Sequence, residues 1–163
     1  MNNLMAGLVL LIASSAHSQE LGFSYGLGVF NSAKLSAVEV KVVNLAYRYE
    51  ILNGLYWQAK VGYWGDGSGN PTRKGSFYAS TGLGMKLDFR PIEFRSGWSL
   101  AGISQTDGYL GGNFPQFNGE IYVGVRDKKG NGAGIKYEHI SSAGYFAQNV
   151  GRDFILLEMS KLW

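Results

Sequence analysis

The stretch Ser76-Phe77-Tyr78-Ala79-Ser80-Thr81-Gly82-Leu83-Gly84-Met85-Lys86-Leu87-Asp88 decides the architecture. Phe77, Ala79, Thr81, Leu83, Met85 and Leu87 fall on one face of an extended chain, and Ser76, Ser80, Gly82, Gly84, Lys86 and Asp88 on the other. Successive side chains of a β-strand point to opposite faces, so a period of two marks a strand with one apolar and one polar side. Upstream, Phe23, Tyr25, Leu27 and Val29 alternate with Gly22, Ser24, Gly26 and Gly28. Leu55, Trp57, Ala59, Val61 and Tyr63 stand against Gln58, Lys60 and Gly62. Apolar faces of the same kind come from Val43, Leu45, Tyr47 and Tyr49, from Ile92, Phe94, Trp98 and Leu100, and from Phe117, Ile121, Val123 and Val125. Two last strands run over about 133–141 and 152–163.

A soluble sandwich also alternates, so the polar face decides what lies outside. It carries Arg48, Glu50, Lys60, Lys86, Asp88, Glu93, Arg95, Glu120, Arg126, Lys136, Glu138, Arg152 and Glu158. Thirteen charges of nearly balanced sign suit a narrow lumen, where an unpaired charge is costly and pairing offsets that cost. Small Gly and Ser side chains on the same face let eight strands close without crowding. The opposite face is rich in Trp, Tyr, Phe and Leu, as lipid contact and interfacial girdles require. The expectation is an all-β chain: a closed eight-stranded antiparallel transmembrane β-barrel of the outer-membrane type, plugged inside rather than open like a porin.

Asn53-Gly54, Arg90-Pro91 and Lys129-Gly130-Asn131 read as short turns. Longer polar connections fall near 31–37, 65–75, 104–115 and 142–151. Bacterial barrels turn tightly on the periplasmic side and carry their long loops outside, which orients the chain. Trp163, on the apolar face with Ile155, Leu157 and Met159, resembles the terminal signature of such barrels, interrupted by Lys161. That signature implies the barrel-assembly machinery as a partner during biogenesis.

The one continuous apolar run, Leu4–Ala13, is too short for a spanning helix, which needs about 20 residues. It precedes Ala16-His17-Ser18, a small-x-small pattern, so residues 1–18 are expected to be a signal peptide and 19–163 the barrel domain. The 163 residues hold no cysteine, which excludes disulfides and thiolate metal sites. The net charge of +3 is spread along the chain, so nucleic acid is not an expected partner. Asp66-Gly67-Ser68-Gly69-Asn70 is a poor calcium loop, with Pro71 at the glycine position and Phe77 at the bidentate acid. With His17 in the signal segment one histidine is left, so a multi-histidine metal site is excluded.

The alternation breaks at one place. In the seventh strand the apolar face reads Ala133, Ile135, Tyr137, then His139 and Ser141; in the eighth it begins with Asp153 before Ile155, Leu157 and Met159. Residues i and i+2 share a face about 7 Å apart, so His139 and Ser141 can meet if the strand bends, and the returning loop can bring Asp153 across from them. A serine hydroxyl is a weak nucleophile until a base takes its proton, and a carboxylate fixes the tautomer of that base. The alternative is that these polar groups simply sit in the headgroup zone, where they cost little.

The sequence Tyr137-Glu138-His139-Ile140-Ser141-Ser142-Ala143-Gly144, followed by Asn149-Val150-Gly151-Arg152-Asp153, resembles the C-terminal motif of the PagL-type lipid A 3-O-deacylases, roughly His-x-Ser-Asn-Ala and then Asn-Pro-Gly-x-Glu. The resemblance implies an eight-stranded outer-membrane barrel with its catalytic groups on the outer wall near the outside leaflet. It implies Ser141 as nucleophile, His139 as base and Asp153 as orienting acid, with Asn149, Ser142 and Gly144 positioning the substrate or oxyanion. It implies lipid A of lipopolysaccharide as substrate and no metal or cofactor. Ser142 stands where that family has Asn, Val150 where it has Pro, and Asp153 where it has Glu. Two other classes remain open at this point: a non-enzymatic small barrel of the OmpA or OmpW kind, and another lipid acyl hydrolase or transferase.

Overall fold

The computed structural model describes residues 18–29, 40–65, 75–104, 112–143, 145 and 151–163. The expected signal segment, up to residue 17, lies outside the described residues, as do Gly144, Asn149 and much of the four longer connections. Eight strands follow one another: β1 (Gln19–Val29), β2 (Val40–Leu52), β3 (Leu55–Trp64), β4 (Ser76–Phe89), β5 (Ile92–Ile103), β6 (Gln116–Arg126), β7 (Asn131–Ser141) and β8 (Arg152–Leu162). Each pairs antiparallel with the next, and β8 returns to β1 from Glu20↔Leu162 to Val29↔Asp153, closing the barrel. Main-chain bonds between Gln19 and Trp163, 3.1 and 3.0 Å, extend that seam. Closure satisfies every ladder internally and leaves no edge, the condition for β-structure in a hydrocarbon solvent.

The turns fall where the sequence puts them. Asn53-Gly54 joins β2 to β3 and Arg90-Pro91 joins β4 to β5. Between β6 and β7 the Asp127 carboxylate accepts from the main-chain N–H groups of Lys129 and Asn131, each at 2.8 Å, so this turn is built on an acid that caps it. These three turns lie at one end of the cylinder and the longer connections at the other.

Every strand presents apolar outward positions, from Phe23 and Leu27 through Leu83, Trp98 and Ile121 to Leu157 and Met159, all exposed, with Lys41, Thr81, Ser96 and Lys161 as polar exceptions away from the β7–β8 loop end. Ten of the thirteen expected lumen charges are buried: Arg48, Lys60, Glu93, Arg95, Glu120, Arg126, Lys136, Glu138, Arg152 and Glu158. Glu50 and Lys86 are half-buried at the turn end, and Asp88 is exposed there beside Arg90. Glu20, ahead of the alternation that marks the first strand, is a further lumen carboxylate, paired with Arg48 at 2.7 Å and Arg95 at 2.8 Å. Glu158 is a hub: it meets Arg95 at 2.6 Å, Arg48 at 2.9 Å and Lys136 at 3.2 Å. Lys60 donates to Asn118 at 2.6 Å, Glu120 at 2.8 Å and Glu138 at 3.1 Å. Shared donors and acceptors of this kind offset the desolvation of each charge.

The lumen is not polar throughout. Toward the loop end Val42, Trp64, Tyr78, Ile103, Ile140, Phe154 and Leu156 form an interior apolar plug. The Trp64 ring stacks on Tyr78 (centroids 5.3 Å) and packs on Phe154 (5.8 Å), while the Tyr78 hydroxyl donates to Glu138 at 3.0 Å and ties the plug to the charged layer. Inward tyrosine rings lie over glycines of the adjoining strand: a Cβ on Gly62 would stand 2.2 Å from Tyr78, and one on Gly84 2.3 Å from Tyr56. Large rings against absent side chains fill a narrow cylinder at ordinary packing density.

Candidate active site

The ladder fixes the site. One rung of outward residues crosses four strands as Trp98↔Gly119↔His139↔Asp153, from β5 to β8. His139 lies two residues from the loop end of β7 and Asp153 is the second residue of β8, so the pair sits near the loop end of the wall. Its Nδ1 is 2.7 Å from Asp153 Oδ1. With the proton on Nδ1, that nitrogen donates to the carboxylate and Nε2 is left as an acceptor, the state a general base needs. Both side chains are partly accessible, 40% for His139 and 25% for Asp153, so they can be reached from outside the barrel.

Asp153 Oδ1 takes a second bond. The hydroxyl of Tyr137, one step from His139 on the same face and half-exposed at 44%, donates to it at 2.5 Å. Both polar neighbours of the acid thus come from β7. The sequence reading placed Tyr137 among the apolar residues; its i−2 spacing from His139 was the available signal.

Gly151 explains how the chain enters β8 at this point. Its φ is +71°, and a Cβ there would stand 2.6 Å from His139 Cε1 and 3.2 Å from Nε2. The main chain therefore passes against the edge of the imidazole, which only glycine permits in both conformation and space. Gly119 opens the other side of the rung, where a Cβ would touch the Trp98 ring at 3.4 Å; Trp98 itself is 74% exposed.

Ser141 ends β7 opposite Phe117 and is half-buried. It shares the outward face with His139, and among the described residues its hydroxyl is not a hydrogen-bond partner of the ring. Ser142 is fully buried, on the inward parity of the chain, and its carbonyl accepts from the Tyr145 N–H at 2.9 Å. Ala143 between them has φ +50°, so the chain turns sharply as it leaves the strand. The structure thus gathers His139, Asp153 and, on the same face, Ser141; it does not bring Ser142 to that face. Asn149 and Gly144 lie outside the described residues.

No curated protein sequence matches the chain. Among solved structures, the crystal structure of the outer membrane enzyme PagL is similar at 19% identity, with a TM-score of 0.65, covering 87% of this chain and 98% of that one. The N-terminal β-barrel domain of Pseudomonas aeruginosa OprF is similar at 8% identity and TM-score 0.65, covering 90% and 97%. Neisserial surface protein A follows at 10% identity and TM-score 0.56, covering 90% and 97%. These likenesses establish the eight-stranded outer-membrane barrel, and at such identities they speak for fold alone. Residues 38–161, which include the whole His139–Asp153 hairpin, match the family described as lipid A 3-O-deacylase (PagL). The chain belongs to that family: it is an outer-membrane β-barrel lipid A deacylase.

Proposed function

We propose that the protein hydrolyses the 3-position acyl ester of lipid A in the outer leaflet through Ser141, His139 and Asp153. The observation that carries this reading is the His139–Asp153 hydrogen bond of 2.7 Å, a base paired to an acid on a wall whose outward residues are mostly apolar. A carboxylate and an imidazole held together in contact with lipid serve no need of the barrel itself, whose charges are paired inside.

In this scheme His139 Nε2 takes the proton of Ser141 as Oγ attacks the ester carbonyl carbon. The tetrahedral intermediate collapses to an acyl-serine as the C–O bond to lipid A breaks, and His139 returns the proton to the leaving 3-hydroxyl. Water, deprotonated by the same nitrogen, then attacks the acyl-serine; the fatty acid leaves and Ser141 regains its proton. Asp153 keeps the tautomer and stabilises the imidazolium formed in each half-reaction. In apo structures such hydrogen bonds are often incomplete and tighten with substrate, as the Ser141–His139 contact must.

The test is mass spectrometry of lipid A from cells expressing the wild-type protein or the Ser141→Ala variant. Loss of the 3-linked acyl chain with the former and its retention with the latter is the expected result. Full deacylation by a folded Ser141→Ala variant would overturn the assignment.

A further inference from the structure

We infer that Tyr137 is a positioning residue for the reaction, holding the Asp153 carboxylate so that its partner His139 is correctly aimed. This inference rests on the catalytic reading above and names one more residue within it. The supporting geometry is the convergence of two donors on a single oxygen: Tyr137 Oη and His139 Nδ1 both bond to Asp153 Oδ1, at 2.5 and 2.7 Å.

An aspartate reaching across a strand pair can rotate about two side-chain bonds. One hydrogen bond to His139 leaves the carboxylate free to swing about that contact, whereas two donors from successive outward residues of β7 fix it. Tyr137 is suited to this by placement. It sits one rung toward the turn end, between Ile121 of β6 and Ile155 of β8, so its ring lies among aliphatic side chains while its hydroxyl points back toward the acid. In an apolar surrounding an unpaired hydroxyl is costly, which favours keeping the bond made.

In the ladder Asp153 stands opposite His139 of β7, with Tyr137 the next outward residue of that strand. Removing the Tyr137 hydroxyl takes away one of the two donors on Asp153 Oδ1 and frees the carboxylate to turn about its remaining bond to His139. The base is then aimed less well at the hydroxyl whose proton it takes, which slows the chemical step and leaves substrate binding to the outer wall nearly unchanged.

The experiment measures kcat and KM separately on lipid A in detergent micelles for wild type, Tyr137→Phe, Asp153→Asn and the double variant. Tyr137→Phe should lower kcat about tenfold with KM nearly unchanged, as expected for losing a hydrogen bond to a charged group. Adding Tyr137→Phe to Asp153→Asn should cost little more, since the hydroxyl acts through the carboxylate. Tyr137→Leu, which also lacks the hydroxyl but keeps an apolar outer wall, should behave like Tyr137→Phe, and both should migrate as folded, heat-modifiable barrels. An unchanged kcat in folded Tyr137→Phe, with Asp153→Asn severely impaired, would overturn this inference and leave the catalytic reading standing. Full activity in Asp153→Asn would overturn the catalytic reading itself, and this inference with it.

Discussion

His139 and Asp153 are direct partners in the β7–β8 ladder, and the ring nitrogen meets the carboxylate at 2.7 Å across it. The relation of base to acid is therefore set by main-chain pairing of two strands, with each residue at a strand end adjoining the same loop. Sites carried on regular elements hold their geometry more closely than sites carried on loops.

If these residues act as a unit, their losses should not add. Ser141→Ala and His139→Ala should each abolish release of the 3-linked chain, and the double variant should be scarcely worse than either. Asp153→Asn should be milder but still severe, because it favours the wrong imidazole tautomer. Asp153→Glu should retain activity. Initial rates on lipid A micelles check all five variants.

Gly151 provides a second test, two residues before Asp153 and against the imidazole ring in space. Gly151→Ala forces a left-handed residue to carry a Cβ 2.6 Å from His139 Cε1. The ring must move, and a displacement of about 1 Å at a reacting group can cost about 10²-fold in rate. A large fall in kcat with a barrel that still shifts on heating is the expected result.

The lumen network should show up in stability and not in chemistry. Glu158 bridges Arg48, Arg95 and Lys136, so Glu158→Gln leaves buried cations short of a partner. Breaking a buried pair from one side costs about 3–5 kcal/mol, and reversible urea unfolding in detergent should register a loss on that scale. The folded fraction should keep its specific activity, because Glu158 faces inward.

The plug makes a fourth expectation. With Trp64, Tyr78 and Phe154 packed above a layer of paired charges, the purified protein should form no steady ion-conducting channels in planar bilayers. Opening the interior with Trp64→Ala together with Phe154→Ala should lower thermal stability before it admits current.

How much of this was legible in the sequence differs by feature, for physical reasons. The strand count, the three turns and the outward faces follow from period-two patterning, because lipid imposes one demand on every outward residue. The apolar plug did not follow. In Phe154-Ile155-Leu156-Leu157 both faces are apolar, so alternation vanishes just where the chain packs inside and outside at once. Glu20 escapes the sequence reading because the strand begins at Gln19, four residues ahead of the aromatic run that starts at Phe23. At the site, His139 and Asp153 were visible as polar exceptions on an apolar wall. Tyr137 was not, since a tyrosine on that wall is an ordinary girdle residue until its hydroxyl partner is known. The burial of Ser142 depends on the turn after β7, where the φ of Ala143 is not written in local composition.

The filled interior also sets the dimensionality of the reaction. No substrate can reach His139 through the barrel, so lipid A arrives, and both products depart, by lateral diffusion within one leaflet. Encounter then depends on how many substrate molecules occupy each unit of interface, not on how many are present per litre. Adding inert detergent at a constant total amount of lipid A should slow the enzyme, the kinetic behaviour known as surface dilution.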